Sequence, residues 1–184
     1  MINEKVICAG FGGQGVMLIG QLLAYSANEK NLNTLWYPSY GPETRGGTAN
    51  CSVTISDEKV NSPVISQAST IFVLNGPSLD KFEGKVKPNG NLIINSSLAT
   101  KKVKRNDVNV YYIPANEMAV ELGNSRVTNM IMLGAYLEIT KLFDKEVILK
   151  ILRKSFGEAK AHLIEVNDRA IEAGKKFVRD MKAN

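Results

Sequence analysis

The chain has 184 residues, 44% of them hydrophobic and 22% charged, with a net charge of +5. This size and mix fit one domain spanning 1–184 with a sizeable core, and exclude a disordered, collagen-like or coiled-coil chain. The longest apolar run, residues 130–137, is far short of the roughly 20 residues a membrane helix needs, and the glycines at 10–15 break any amino-terminal signal, so the expected location is cytoplasmic.

In chain order, residues 6–9 form a short continuous apolar run, the pattern of a buried strand. From 15 to 28, Val16, Met17, Leu18, Ile19, Leu22, Leu23 and Ala27 recur at helical spacing. Residues 35–37 read as a second strand ended by Pro38, so strand, helix and strand form a Rossmann-like βαβ unit. A polar loop, 39–47, follows. Cys51, Val53 and Ile55 alternate with polar residues, as in a half-exposed strand. A turn at 57–59 predicts a hairpin return over 60–65, which makes part of the sheet antiparallel. Runs at 71–74, 92–94 and 108–113 complete the strands. Residues 127–142 are apolar nearly all round and predict a buried helix. Asp144 suits the N-cap of the next helix, whose Val147, Ile148, Ile151 and Leu152 share one face, and Gly157 suits its C-terminal end. In the last helix Leu163, Val166, Ala170, Ala173, Phe177 and Met181 form a stripe opposite Lys175, Lys176, Arg179 and Lys182. The expected fold class is α/β, a three-layer α/β/α arrangement on a mostly parallel mixed sheet.

Cys8 and Cys51, the two cysteines, both fall in predicted strands and read as buried reduced thiols. Two thiols cannot ligate a four-thiolate iron–sulfur or zinc site within one chain. The single histidine, His162, lies late in the sequence. The densest basic run, 101–105, has no interleaved aromatics and reads as a solvated loop, which argues against nucleic-acid binding.

Gly10, Gly12 and Gly15 have the G-x-G-x-x-G spacing between a strand and a helix. The first glycine permits a tight turn, the second lets a phosphate approach, and the third lets helix and strand pack closely. A dinucleotide fold places an acid about 20 residues on, at the end of the second strand. That position here is Tyr37, Pro38 and Ser39, which weighs against NAD. Three roles stay open for the turn: packing alone, an anionic ligand other than NAD, or contact with a partner chain. The second loop, residues 40–47, should leave the same edge of the sheet. There Glu43 and Arg45 sit among glycines, and the Arg45 fork suits a carboxylate or phosphate. Thr48, Asn50 and Ser52 should share one face of the next strand and extend a polar site.

The run 9–16 with its Gly10, Phe11, Gly12, Gly13, Gln14 and Gly15, followed by Tyr40, Gly41, Pro42, Glu43, Thr44, Arg45, Gly46 and Gly47, closely resembles the gamma subunit of 2-oxoacid:ferredoxin oxidoreductases. Residues 129–135 resemble that family's helix. The likeness covers roughly 5–156, and the second loop looks most like the 2-oxoglutarate branch, with the pyruvate and 2-ketoisovalerate branches near. The resemblance implies an assembly that decarboxylates a 2-oxoacid with thiamine diphosphate and Mg2+. It passes electrons through [4Fe-4S] clusters to ferredoxin and releases acyl-coenzyme A. It implies alpha and beta partner subunits, with a ferredoxin-like delta subunit as a further candidate. This chain has no Gly-Asp-Gly diphosphate motif and no cysteine cluster, so those cofactors are expected on the partners and no catalytic residue is assigned here. The residues implied to meet a ligand or a partner are Gly10, Gly12, Gly13, Gln14, Gly15, Glu43, Arg45, Gly46 and Gly47. Coenzyme A is the implied ligand. A free-standing NAD(P)-binding oxidoreductase is the alternative.

Overall fold

A computed structural model describes residues 1–41 and 48–184. The strands among these residues are β1 (Asn3–Phe11), β2 (Asn33–Tyr40), β3 (Thr48–Ser56), β4 (Ala68–Val73), β5 (Val86–Asn95) and β6 (Asn109–Ile113). The α-helices are α1 (Val16–Glu29), α2 (Gly76–Phe82), α3 (Ala115–Glu121), α4 (Thr128–Thr140), α5 (Lys145–Phe156) and α6 (Leu163–Ala183). The strands form one mixed sheet in the order β2-β3-β1-β4-β5-β6. From β1 through β6 the pairings are parallel, while β3 is antiparallel to both its neighbours.

Several expectations change here. The strands flanking α1 do run in the same direction, but β3 inserts between them, so the Rossmann-like unit is split. The antiparallel part comes from β2 and β3, because residues 60–65 form no strand. Nor does Pro38 end β2, which runs on to Tyr40. β2 is an edge strand, where a missing N–H need not cost a ladder bond. β3 alternates as expected through Val53, with Thr48, Asn50 and Ser52 partly exposed, but it lies inside the sheet and is buried on both faces from Val53 to Ser56.

Helices cover both faces unequally. On one face α1, α3, α4, α5 and α6 pack over Val6, Cys8, Cys51, Val53, Phe72 and Ile93. On the other, Leu79 and Phe82 of α2 close a smaller core around Ile7, Ile71, Leu92 and Ile94. α4 is buried almost throughout, as its all-round apolar sequence predicts. The buried line of α6 is rotated from the expected stripe. It runs through Asn167, Ala170, Ile171, Gly174 and Val178, leaving Met181 exposed. The reason is Gly174, where α6 approaches the backbone of α4 more closely than any side chain would permit. Asp144 stands at the N-cap of α5 without a side-chain capping bond, and Gly157 ends that helix with a positive φ of 65°.

Candidate functional site

The site begins where β1 stops. Gly10 pairs with Ala49, which pairs in turn with Tyr40 of β2. The Gly41 N–H donates to the Thr48 carbonyl at 2.9 Å. Both ends of the 42–47 segment therefore leave the same carboxyl edge of the sheet as the glycine turn, as the sequence predicts. Glu43, Arg45, Gly46 and Gly47 themselves lie outside the described residues.

Within the turn the glycines have different jobs. Gly13 and Gly15 take φ values of 89° and 79°, the left-handed region that disfavours a Cβ. Gly15 is also the N-cap of α1, accepting from the Ile19 N–H at 3.2 Å, and a Cβ there would overlap the Asn129 side chain. At Gly10 a Cβ would come within 2.6 Å of Gln14 Oε1 and 3.1 Å of Leu74 Cβ. A Cβ at Gly12 would meet nothing within 4 Å, so that side of the turn is open.

Gln14 staples the turn to the sheet. Its Oε1 accepts from the Phe11 N–H at 2.6 Å and from Asn75 Nδ2 at 3.2 Å, and its Nε2 donates to the Leu74 carbonyl at 3.3 Å. Asn75 in turn accepts from the Ser78 N–H and caps α2. The side chain of Gln14 thus ties the turn to the sheet, with its second Nε2 hydrogen uncommitted among the described residues.

The turn opens onto a cavity of about 330 Å³ lined by Gly13, Gln14, Gly15, Leu74, Asn116, Ser125, Arg126, Thr128 and Asn129. Three of these come from the sequence-predicted set. Asn116, Ser125, Arg126, Thr128 and Asn129 do not, because they reach the turn only through the packing of α3 and α4 against it. The one local signal is Asn124, whose side chain accepts from the Arg126 N–H at 2.9 Å and starts the 3-10 turn Ser125–Val127. Beside the cavity the Ser97 hydroxyl donates to Glu117 and holds that carboxyl below its ordinary range. Thr48, Asn50 and Ser52 do share a face, but they pair with Phe11, Ala9 and Ile7. They therefore face away from α1 and outside the cavity lining.

β3 also explains why an NAD site does not fit. It sets the end of β2 two strand spacings, about 10 Å, from β1, and no acid stands at residues 37–39. The basic run is likewise used locally. Lys101 pairs with Asp80 at 3.1 Å, while Arg105 pairs with Asp107 and donates to the Glu83 and Val86 carbonyls.

The donor set of this chain does not fit an iron–sulfur cluster. Cys8 and Cys51 are both fully buried and directly opposite each other in the β1–β3 ladder, and a cluster needs four thiolates. Among the described residues no three His, Cys, Asp or Glu side chains gather as a metal site, and no helix is long and apolar enough to cross a membrane.

Residues 5–177 match the family described as "Pyruvate ferredoxin/flavodoxin oxidoreductase". Ketoisovalerate oxidoreductase subunit VorA of Methanothermobacter marburgensis is 40% identical over 95% of this chain, which spans only 36% of that relative's length. The 2-oxoglutarate synthase subunit KorC of Methanocaldococcus jannaschii is 32% identical, with 84% of each chain covered. The crystal structure of a keto/oxoacid ferredoxin oxidoreductase gamma subunit from Geobacter sulfurreducens superposes with a TM-score of 0.81. It is 27% identical, and the match covers 96% of this chain and 99% of that one.

Proposed function

Because the chain belongs to the pyruvate ferredoxin/flavodoxin oxidoreductase family, we propose that it is the gamma-type unit of a 2-oxoacid:ferredoxin oxidoreductase, with 1–184 as one domain. The assembly oxidatively decarboxylates a 2-oxoacid to acyl-coenzyme A and CO2 and reduces ferredoxin. Alpha and beta partners hold thiamine diphosphate, Mg2+ and the [4Fe-4S] clusters; the two buried thiols of this chain do not suffice for a four-thiolate cluster. The form of the 40–47 loop favours 2-oxoglutarate as substrate. Similarity to VorA makes 2-ketoisovalerate the substrate to assay beside it.

Within that assembly the glycine-turn cavity holds an anionic part of coenzyme A. One observation carries this reading: the open side of the turn and the Arg126 cavity share the carboxyl edge of the sheet, where ligands of open α/β sheets bind. Affinity purification of the chain from its own host tests the assembly. Copurification with two or more larger chains carrying thiamine diphosphate and iron–sulfur clusters is expected, and isolation of the chain alone overturns it. Titration of the complex with coenzyme A, comparing native with Gly12→Glu and Arg45→Ala, tests the ligand role. Unchanged affinity in both variants would leave the turn a structural role only.

A further inference from the structure

We infer that the outer face of α2, with the 96–108 crossover laid across it, is a docking surface for an acidic protein, and that the protein it serves is the electron acceptor of the assembly; this rests on the oxidoreductase reading above. The chain's charge is concentrated there. Residues 76–108 hold seven Lys and Arg against three Asp and Glu, so they carry four of the chain's net +5 charges. The fold gathers them on one face. Lys101 reaches Asp80 of α2 at 3.1 Å, the Glu83 carboxylate accepts from the Lys104 and Arg105 N–H groups, and the Arg105 guanidinium donates to the Glu83 and Val86 carbonyls. The crossover is thereby pinned along α2 and along the 3-10 turn Glu83–Lys85 that continues it.

These bonds use every acid of the segment: Asp80 on Lys101, Glu83 on the two N–H groups, and Asp107 on Arg105. Lys81, Lys85, Lys87, Lys102 and Lys104 are exposed and have no ion-pair partner among the described residues. Lys81 and Lys85 both lie over the Phe82 ring, 5.2 and 5.5 Å from its centre, so two ammonium groups share one patch. Lys87 lines a cavity of about 250 Å³ together with Lys5, which carries the positive field on to the start of β1. Like charges held this close, with no acid left to neutralise them, favour an anionic partner.

The kind of partner follows from what the face lacks. Leu98 is its one exposed large apolar side chain, whereas a permanent subunit interface has an apolar core. Its one aromatic residue, Phe82, is buried beneath the lysines, so no ring is free to stack on a nucleic-acid base. A charged face without an apolar anchor suits a steered, short-lived encounter with a protein of opposite charge. In the proposed assembly the protein that must dock and leave in each turnover is the electron acceptor.

The test is steady-state kinetics of the assembled oxidoreductase with two acceptors, a ferredoxin of net negative charge and a small viologen dye. Lys81→Glu, Lys85→Glu and Lys104→Glu together should lower kcat/KM for ferredoxin about tenfold or more, the lower end of the range for electrostatic steering, and leave the dye rate within about twofold. Native kcat/KM for ferredoxin should fall between about 0.01 and 0.1 M salt, as the screening length shortens from about 30 to 10 Å, and that of the variant should stay nearly level. Arg153→Glu, Lys160→Glu and Lys182→Glu make the same charge change on the α5 and α6 side of the sheet and should affect neither acceptor. An equal loss in that control set would overturn the docking face, since net charge alone would then be responsible. Unchanged ferredoxin kinetics in the α2 set, with 2-oxoacid-dependent dye reduction intact, would overturn it while keeping the oxidoreductase reading. Joint loss of the partner chains and of the dye rate would overturn it too, because the face would then be a permanent subunit interface. So would retention of mixed-sequence single-stranded RNA by the native assembly but not by the variant, with ferredoxin kinetics unchanged. Reduction of neither acceptor by the native assembly with any 2-oxoacid would reject both readings.

Discussion

Gly134 of α4 and Gly174 of α6 each lie against the other helix's backbone. A Cβ on Gly134 would overlap the Ile171 carbonyl, and one on Gly174 would overlap the Ile131 carbonyl. Because the obstacle is backbone in both cases, no rotamer change can relieve it. Gly134→Ala or Gly174→Ala should therefore destabilise the chain by about 2–3 kcal/mol or more, the upper part of the overpacking range. In a domain of this size that is a fall in Tm of about 4–12 °C. Differential scanning calorimetry checks it, and a melting point within 1 °C or so of native would show that the helices can separate without cost.

Gln14 gives a second prediction. Gln14→Ala removes the acceptor for the Phe11 N–H and the donor to the Leu74 carbonyl. Leaving partly buried groups unpaired should cost about 1–3 kcal/mol. The turn should also loosen, so coenzyme A binding by the complex should weaken while kcat changes little. If stability falls and affinity does not, the turn's geometry is not what the ligand reads.

Much of this fold was legible from periodicity. The buried strands and the all-apolar α4 are local patterns that tertiary contacts reinforce. What failed was pairing. A βαβ sequence says that two strands run in the same direction, not that they touch, and nothing in residues 48–56 announces that they will pair with both β1 and β2. The α6 stripe failed because a glycine counts as no apolar residue, yet Gly174 sets the closest approach. The glycine turn was legible as a motif, and so was the edge it shares with Gly41 and Thr48, which flank residues 42–47. Arg126 was not, because it reaches the cavity from more than 100 residues away in sequence, through helix packing alone.

The acid limb of stability should depend on Glu172. The Arg179 guanidinium, at 2.9 Å, and then Lys145, at 3.3 Å, hold its carboxyl below the ordinary 4.5. A carboxyl depressed in the folded state contributes stability that is complete above its unfolded value. That stability is lost as pH falls through the lower, folded value. Lys145 works in the opposite sense: Asp168 at 2.9 Å raises it above 10.5, so its contribution is lost only as pH rises beyond that. Glu172→Gln should therefore lower stability in the neutral region, where that contribution is complete, and flatten the loss of stability below about pH 4.5. Urea titrations from pH 3 to 7 would show it. An acid limb as steep as native would mean that other carboxyls carry it.

The cysteines give the last prediction. Cys8 and Cys51 face each other across the β1–β3 ladder with no exposed surface. Burial pushes the Cys8 thiol well above its ordinary 9.0. The hydrogen bond with Cys8 lowers that of Cys51, whose Sγ donates to the Val16 carbonyl at 3.5 Å. Thiolate character alone does not make a thiol reactive when no reagent can reach it. The native chain should show no fast-reacting thiol toward an aromatic disulfide reagent, and both should react after denaturation. The slow native rate should follow the opening of the sheet, because these strands lie in the core. It should therefore rise in Gly134→Ala and stay constant in Arg126→Ala. One thiol reacting in the native protein within the mixing time would mean that Cys51 is reachable from the glycine turn, whose α1 helix it touches at Val16.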